Sequence, residues 1–222
     1  MRVPYVANVD VEALLDADAA PWRSTASETI TLMGTPVGLQ PTAAIRATWT
    51  GKKIGAVERV TVAAVHTGRA LAFRLEWADP TENRDLTDTT SFPDAAAVLF
   101  PSTPGASVMS MGAPTAPVNA WYWRADADKS RNVIAEGIGT SRTVDVELVR
   151  GRGVWKEGRW QVVIARALRI DTKEPVAQID VGATSGFAVA VWDGANSERG
   201  GIKAFSGDWR ELVLDATKVA KG

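Results

Sequence analysis

A methionine on a Gly/Pro-rich segment, directly before an aromatic strand, has the clearest potential for chemistry in this chain. The segment is residues 110–123, with the sequence SMGAPTAPVNAWYW, and the methionine is Met111. Thioether sulfur is a soft donor that suits haem iron and copper, and a Met ligand raises the reduction potential of a haem relative to stronger donors. Methionine is also common packing material in protein cores. The segment alone therefore leaves both roles open for Met111.

Composition removes most other kinds of metal site. The chain has 222 residues, no Cys and a single His, His66. Cysteine clusters of zinc, iron–sulfur clusters, blue-copper thiolates and thioether-attached c-type haems all require Cys, so each of these is excluded. A single His also excludes sites that need two His ligands. A haem bound without covalent attachment stays open, as do plain ligand binding and scaffolding.

The net charge and the hydropathy of the chain indicate neither a nucleic acid nor a membrane as its partner. Lys plus Arg number 25 and Asp plus Glu number 26, so there is no overall field that would attract nucleic acid or an anionic membrane. We expect no membrane span, because no apolar stretch approaches the roughly 20 residues that a bilayer requires. The first residues, MRVPY, contain no apolar signal core. This leaves open a cytoplasmic protein or a chain whose leader has been removed. The length fits one domain over residues 1–222.

The chain shows short strands and turns, which predict an all-β fold: a single-domain antiparallel β-sandwich with a few short helices in loops. Apolar and polar residues alternate in many segments, as in a sheet with one wet face. The predicted strands lie around Ile30 and Leu32 and at residues 43–49, 57–65, 71–77, 143–149, 160–165, 187–192 and 209–214.

Three other features complete the predicted fold. Residues 11–20 are predicted to form a short helix that Pro21 ends. Residues 81–112 are rich in Pro and Ala and are predicted to form a long loop that leads to Met111. Gly151 and Gly153 are predicted to mark a turn before the strand at 160–165, which would pair with the strand at 143–149 in a hairpin.

Four motifs follow one another along most of the chain. They are FRLEWADPT at 73–81, MG with PVNAWYW at 111–123, WQVV with Arg166 and Leu168, and AVWDG at 190–194 with KA at 203–204. Together they resemble the haem b-binding gamma subunits of the type II dimethyl sulfoxide reductase family of molybdoenzymes. This family includes ethylbenzene dehydrogenase, dimethylsulfide dehydrogenase, selenate reductase and chlorate reductase. The resemblance implies a β-sandwich that holds one non-covalent haem b between an axial Met and an axial Lys.

The resemblance also implies which residues ligate the haem iron. The axial Met corresponds to Met111, which directly precedes Gly and the PVNAWYW strand. Met109 is the competing residue, because two positions earlier in an extended segment means the same face. The axial Lys corresponds to Lys203, which lies in GGIKA after the WDG turn. A Lys ligates iron only as the neutral amine, so the site must lower its pKa. His66 is the rival to Lys203, although it precedes a predicted turn, where side chains face water more often than a buried cofactor.

The nine Trp residues allow two interpretations. Trp121 and Trp123 share one face of their strand and could form a flat wall against a haem. Alternatively, the chain is a Trp-rich β-sandwich module that binds a saccharide or another small ligand without haem. Haem propionates need cationic or amide partners, for which Arg74, Arg124 and Arg199 are candidates.

The expected activity is electron transfer without catalysis by this chain itself. The sequence contains no Gly-x-Ser-x-Gly elbow, P-loop, His-Glu-x-x-His or dinucleotide fingerprint. The resemblance implies a periplasmic protein whose leader is absent from this chain. It also implies permanent partners, a molybdenum catalytic subunit and an iron–sulfur subunit, and a soluble carrier such as cytochrome c. Because a Met sulfur and an apolar pocket both favour the ferrous state, we expect a haem of relatively high reduction potential.

Overall fold

Two β-sheets pack face to face, and short helices and loops cover their outer faces. The computed structural model describes residues 1–86, 89–127, 130–144 and 148–216. Within these ranges the strands are β1 (Arg2–Val3), β2 (Ser27–Thr31), β3 (Met33–Gly34), β4 (Arg59–His66), β5 (Ala70–Ala78), β6 (Ala95–Pro101), β7 (Val118–Arg124), β8 (Arg131–Ala135), β9 (Arg142–Val144), β10 (Val149–Lys156), β11 (Arg159–Ala167), β12 (Thr184–Trp192), β13 (Ala204–Phe205) and β14 (Arg210–Leu214). The helices are α1 (Val11–Leu14), α2 (Ala20–Ser24), α3 (Ala43–Trp49) and a 3₁₀ turn (Val37–Leu39).

The larger sheet has the strand order β1-β14-β12-β6-β7-β8-β9, with β13 pairing to β12 and β3. The smaller sheet has the order β10-β11-β5-β4-β2. All of these strand pairs are antiparallel except β1 with β14. The predicted all-β sandwich is therefore confirmed. Within the described ranges, no helix has both the length and the apolar character needed to cross a bilayer.

The main core lies between the two sheets and is rich in aromatic side chains. Alternate residues of each strand point inward, so β5 contributes Phe73, β6 contributes Phe100 and β7 contributes Trp121. With Phe187 of β12, these rings pack at centroid distances from 4.5 to 6.3 Å. Burial of such large apolar surfaces fixes which face of each strand is turned inward, because a one-residue slip would expose the whole set.

The outer faces of the two sheets are covered differently. On the smaller sheet, α1 and α2 place Leu14, Leu15 and Trp22 against small residues of β4, β5 and β11. Trp22 Nε1 donates to the carbonyl of Leu14 at 2.9 Å, which joins the two helices. On the larger sheet, loops rather than helices cover a second apolar cluster, and a cavity remains beneath them.

The predictions for two helical segments need correction. The segment 43–49 is α3 and not a strand, because the side chain of Thr42 caps it by accepting from the Ile45 N–H at 3.2 Å. Its alternation of apolar residues reflects no sheet face, since only Trp49 is buried. The predicted helix at 11–20 is divided into α1 and α2. Pro21 lies in the first turn of α2, where a missing N–H costs nothing, so it begins a helix and does not end one.

Two strands, β6 and β10, were also predicted wrongly, as parts of a loop and a turn. β6 lies inside the predicted long loop, at the centre of the larger sheet. Its residues are buried on both faces, so it shows no alternation, and its run of alanines has low strand propensity. Gly151 and Gly153 lie inside β10 and not in a turn. The hairpin turn falls at Glu157 and Gly158, and β11 pairs with β10. Of the predicted strand at 143–149, residues 145–147 lie outside the described residues.

The Gly153→Ala variant should be strongly destabilised. A Cβ at this position would lie 2.2 Å from Cζ2 of Trp123, whose ring packs against Trp160 at 5.0 Å and cannot easily move. We expect a loss of about 2–3 kcal/mol in the free energy of unfolding, measured by urea denaturation. Gly38→Ala is the control, because a Cβ there meets nothing within 4 Å. Equal stability of the two variants would contradict this packing.

Candidate functional site

The cavity lies on the outer face of the larger sheet and has a volume of about 370 Å³. Its floor is made of alternate residues of β6 and β7, including Ala97, Leu99, Ala120 and Tyr122. These residues point away from the sandwich core, which takes the other set of residues from the same strands. Small side chains on this face leave room for a ligand above the sheet, and the volume lies within the range of ligand pockets.

A tight loop between β6 and β7 brings Met111 to the cavity. The Met111 N–H donates to the Val108 carbonyl at 3.1 Å, and the Met111 carbonyl accepts from the Gly137 N–H at 3.0 Å. Met111 has a φ of +56°, a left-handed conformation that is uncommon for residues other than Gly. The next residue, Gly112, also has positive φ, and a Cβ there would lie 2.8 Å from the Ala116 and Ala135 carbonyl oxygens. Backbone strain of this kind is concentrated at functional sites.

Lys203 enters the same cavity from the segment before β13. Its side chain is only 4% exposed, and its Nζ lies 3.7 Å from Sδ of Met111 and 5.6 Å from the ring centroid of Trp192. Among the described residues, no carboxylate forms an ion pair with it. Burial lowers the pKa of the Lys203 amine to about 8, because charging it in an apolar environment is unfavourable. The site therefore brings a thioether and an easily deprotonated amine together.

Hydrogen bonds fix the backbone around Lys203. The Thr35 N–H donates to the Lys203 carbonyl at 3.0 Å, and the Thr35 hydroxyl oxygen accepts from the Lys203 N–H at 3.3 Å. The Thr35 hydroxyl and the Gln40 amide both donate to the carbonyl of Gly201, at 2.7 and 3.1 Å. A main-chain segment bonded on both sides of Lys203 limits the positions that its side chain can reach.

A buried carboxylate organises the turn that precedes Lys203. Glu198 is almost fully buried, and its Oε1 accepts from the N–H groups of Gly55 and Ala56 at 2.7 and 2.9 Å. Its Oε2 accepts from the Asp193 N–H at 3.1 Å. Glu198 thus joins the 55–56 loop to the turn after β12. Sequence reasoning missed this residue because an isolated Glu in a charged loop resembles a solvated side chain.

Three arginines also line the cavity. Arg124 forms an ion pair with Asp126, and Arg142 forms one with Glu174 at 2.6 Å, whereas Arg131 lies on the neighbouring strand β8. Of the other predicted propionate partners, Arg74 pairs with Glu76 on β5 of the opposite sheet, and Arg199 stacks over Phe92 at 4.0 Å. The cavity thus combines an apolar floor with cationic groups that suit carboxylates.

The other predicted site residues are distributed as follows. Met109 also lines the cavity and is 37% exposed. Trp121 and Trp123 are buried in the core between the sheets, on the face of β7 opposite to the cavity. The sequence predicted that these two residues line the haem site, but Ala120 and Tyr122 of the same strand line the cavity instead. The ring of Tyr122 lies 5.3 Å from that of Trp192, and burial raises its pKa to about 12.

His66 was expected to face water, but it is buried. It does not line the cavity. Its Nδ1 accepts from the Gly68 N–H at 3.2 Å, its Nε2 has no hydrogen-bond partner, and its ring lies 5.6 Å from that of Tyr5. Burial lowers its pKa below the usual 6.5, more than the backbone and charge of Asp215 raise it. His66 therefore contributes to stability as a neutral ring.

Acid should destabilise the wild type more than a His66→Asn variant. Below about pH 6.5 the unfolded state binds a proton at His66 that the folded state does not bind. The free energy of unfolding therefore falls as the pH is lowered. We expect the wild type to lose up to about 1.4 kcal/mol more than the variant per pH unit, until the folded-state pKa is reached. Denaturant unfolding of both proteins from pH 7 to 5 measures this difference. Parallel stability profiles would show that His66 titrates equally in both states.

The chain is similar to a family of known proteins over most of its length. The family described as ethylbenzene dehydrogenase matches residues 19–147 and 142–204. Chlorate reductase subunit gamma of Ideonella dechloratans is 39% identical over 158 residues, which cover 71% of this chain and 65% of that protein. Dimethylsulfide dehydrogenase subunit gamma of Rhodovulum sulfidophilum is 31% identical, with 68% of this chain and 58% of that protein covered.

A protein of Haloferax mediterranei, provisionally named a respiratory nitrate reductase heme subunit, is 36% identical over 69% of this chain and 55% of its own length. The chain thus spans between 55% and 65% of the length of these three relatives. Among solved structures, a family 9 carbohydrate binding module of Caldicellulosiruptor kristjanssonii in complex with glucose has a TM-score of 0.54 at 12% identity, with both chains fully covered. This likeness shows a shared fold.

Proposed function

Because the chain belongs to the ethylbenzene dehydrogenase family, we propose that it is a non-catalytic electron-transfer subunit that binds one haem b, with Met111 and Lys203 as the axial ligands. The names of its relatives, gamma and heme subunits, support a subunit role. The proposal includes a periplasmic location and a complex with a molybdenum catalytic subunit and an iron–sulfur subunit. A soluble cytochrome c or a similar carrier would exchange electrons with the complex.

One observation carries the proposal: a thioether and a buried amine face each other inside one cavity. Burying a lysine without a carboxylate partner is costly, so a functional reason is expected for Lys203. The 3.7 Å between Lys203 Nζ and Met111 Sδ brings a nitrogen and a sulfur donor to one point of the cavity, where both could hold one metal ion. The donor set therefore fits haem iron.

The residues of this chain would prepare the site for one-electron chemistry. When bound, a haem supplies an iron that accepts and releases one electron. Lys203 must lose its proton from Nζ before it can ligate, and a pKa of about 8 makes this step inexpensive near neutral pH. The Met111 sulfur and the apolar floor would both favour the ferrous form and so raise the reduction potential. With Met111 and Lys203 both holding the group, the chain would offer a substrate no place on it, as expected of a non-catalytic subunit.

The remaining cavity residues would bind the rest of the cofactor. Ala97, Ala120 and Tyr122 would pack against a flat apolar ring, because their side chains form the floor of the cavity. Arg131 would pair with a propionate, since a guanidinium binds a carboxylate through charge-assisted hydrogen bonds. Arg142 would pair with the second propionate in exchange for Glu174. Trp121 and Trp123 take no part in these contacts, because they point into the sandwich core.

A matched pair of methionine variants tests the ligand assignment. Met111→Ala and Met109→Ala remove the same group from the same cavity, two residues apart. After reconstitution with haem, Met111→Ala should lose the low-spin spectrum of the wild type and show a lower reduction potential by redox titration, whereas Met109→Ala should keep both. If Met109→Ala loses the low-spin spectrum and Met111→Ala keeps it, Met109 is the ligand and the assignment is wrong.

A further inference from the structure

Three carboxyl groups meet at one end of the sandwich, and none of them lines the haem cavity. Asp79 follows β5, Asp94 precedes β6 and Asp193 follows β12. One oxygen of each carboxyl lies within 4.8 Å of the others. Two of these residues belong to the sequence motifs FRLEWADPT and AVWDG, for which the proposed electron transfer has no use. The cluster therefore calls for a separate explanation.

The carboxyl of Asp94 is bound only by neutral donors. Asp94 is fully buried, and its Oδ1 accepts from the Gly194 N–H at 2.8 Å. Its Oδ2 accepts from the Asn83 N–H at 2.8 Å and from Trp160 Nε1 at 2.9 Å. These contacts hold the carboxyl in one orientation, but they bring no positive charge to it.

The carboxyl of Asp79 supplies an observation that is independent of the clustering. Asp79 is only 1% exposed, and its Oδ1 accepts from the Thr81 N–H at 3.1 Å. Its Oδ2 has no hydrogen-bond partner. Burial raises the pKa of Asp79 above its ordinary value, and the nearby Trp77 N–H opposes this to a lesser extent, without a hydrogen bond of ordinary geometry. An unpaired buried carboxylate oxygen is costly, so this atom is available to a ligand.

No cationic side chain in the described ranges neutralises the cluster. None of the three carboxylates forms an ion pair with Lys or Arg there. Arg84 stacks over Trp160, and its donors bind Glu82 and the carbonyls of Ala125 and Gly153. Buried like charges that lack a partner repel one another strongly in a medium of low dielectric constant. A bound cation would remove this repulsion.

We infer that Asp79, Asp94 and Asp193 bind a Ca²⁺ ion that joins the ends of β5, β6 and β12. Hard cations take oxygen ligands, and Ca²⁺–O distances of about 2.3–2.6 Å keep any two ligands of one ion within about 5.2 Å, a condition that these carboxylates meet. Mg²⁺ usually keeps several waters and binds through one or two carboxylates, whereas this cluster offers three. The ion would also stabilise the turn at Asp193, which leads through Glu198 to Lys203.

Thermal unfolding of the full chain, after removal of metal with a chelator, tests this inference. With CaCl₂ at about 100 times its dissociation constant, the midpoint should rise by about 5–10 °C. Asp79→Asn and Asp193→Asn should abolish the rise, whereas the exposed Asp18→Asn should keep it. Asp193 is only half-buried, so its variant remains informative if Asp79→Asn does not fold.

Calorimetric titration with CaCl₂ and with MgCl₂ provides the second measurement. One site per chain for Ca²⁺, absent in the Asp193→Asn variant, is the expected result. If millimolar Ca²⁺ gives neither heat nor a shift in the midpoint, the three residues are a protonated carboxyl cluster and the inference is wrong. Tighter binding of Mg²⁺ than of Ca²⁺ would overturn the identity of the ion.

Discussion

Lys203→Ala should convert the haem-bound protein from a six-coordinate low-spin to a five-coordinate high-spin form and weaken haem binding at least about tenfold. The variant removes the amine, and no other Lys and no His lines the described cavity to replace it. Absorption spectra report the spin state, and titration with haem reports the affinity. Lys53→Ala is the matched control, because Lys53 is exposed and pairs with Glu58 at the surface.

In the haem-free protein, by contrast, replacing Lys203 should raise the free energy of unfolding. The pKa of Lys203 falls from 10.5 to about 8 on folding, so the buried amine costs about 3 kcal/mol at neutral pH, and Lys203→Met should recover part of this energy. Between pH 8 and 10.5 the unfolded state binds more protons at Lys203 than the folded state. As the pH rises through that range, the wild-type apoprotein should therefore gain stability relative to Lys203→Met. A Lys203→Met apoprotein less stable than the wild type, or a Lys203→Ala variant with an unchanged haem spectrum, would contradict the assignment.

Glu198→Ala should cause the largest loss of stability among single substitutions near the site. It leaves the N–H groups of Gly55, Ala56 and Asp193 without their acceptor and opens a cavity where the side chain was buried. We expect a loss of about 3–5 kcal/mol in the free energy of unfolding by urea denaturation. Haem affinity should fall as well, because the turn before Lys203 is no longer fixed.

Two further variants define the role of Glu198. Glu198→Gln keeps the shape and one acceptor oxygen, and it should recover a substantial part of the stability and of the haem affinity. Glu211→Ala changes an exposed Glu on β14 and should have little effect on either quantity. A loss below about 1 kcal/mol in Glu198→Ala would mean that water replaces the carboxylate without cost.

The sequence predicts those strands in which large apolar residues alternate with small or polar ones. In β5 the large residues face the core and alternate with Ala, Arg and Glu, so the strand was predicted to within one residue at each end, although helices cover Ala72 on its other face. β6 was missed because it is buried on both faces and its alanines match no periodic pattern. α3 was mistaken for a strand because seven residues with few buried side chains carry too little periodic information to separate the two periods.

The candidate site was predictable in its donors but not in its walls. Four motifs pointed to Met111 and Lys203, which the fold brings together across 92 positions of sequence. The choice of face was not predictable from β7 alone, since alternation separates Trp121 and Trp123 from Tyr122 without saying which set faces the core. The small residues Ala97 and Ala120 provide the missing signal. A sheet face rich in alanine leaves space that large side chains would fill, and such space is where a flat cofactor fits.

The absorption spectrum of the haem-reconstituted wild type, oxidised and reduced, with and without carbon monoxide, tests the central claim most directly. Two protein ligands predict a six-coordinate low-spin b-type spectrum in both oxidation states, one haem per chain, and a reduced form that does not bind carbon monoxide readily. A high-spin spectrum with rapid binding of carbon monoxide would show that an axial position is open. If the folded protein binds no haem, the electron-transfer proposal is wrong, and a sandwich that binds another ligand takes its place.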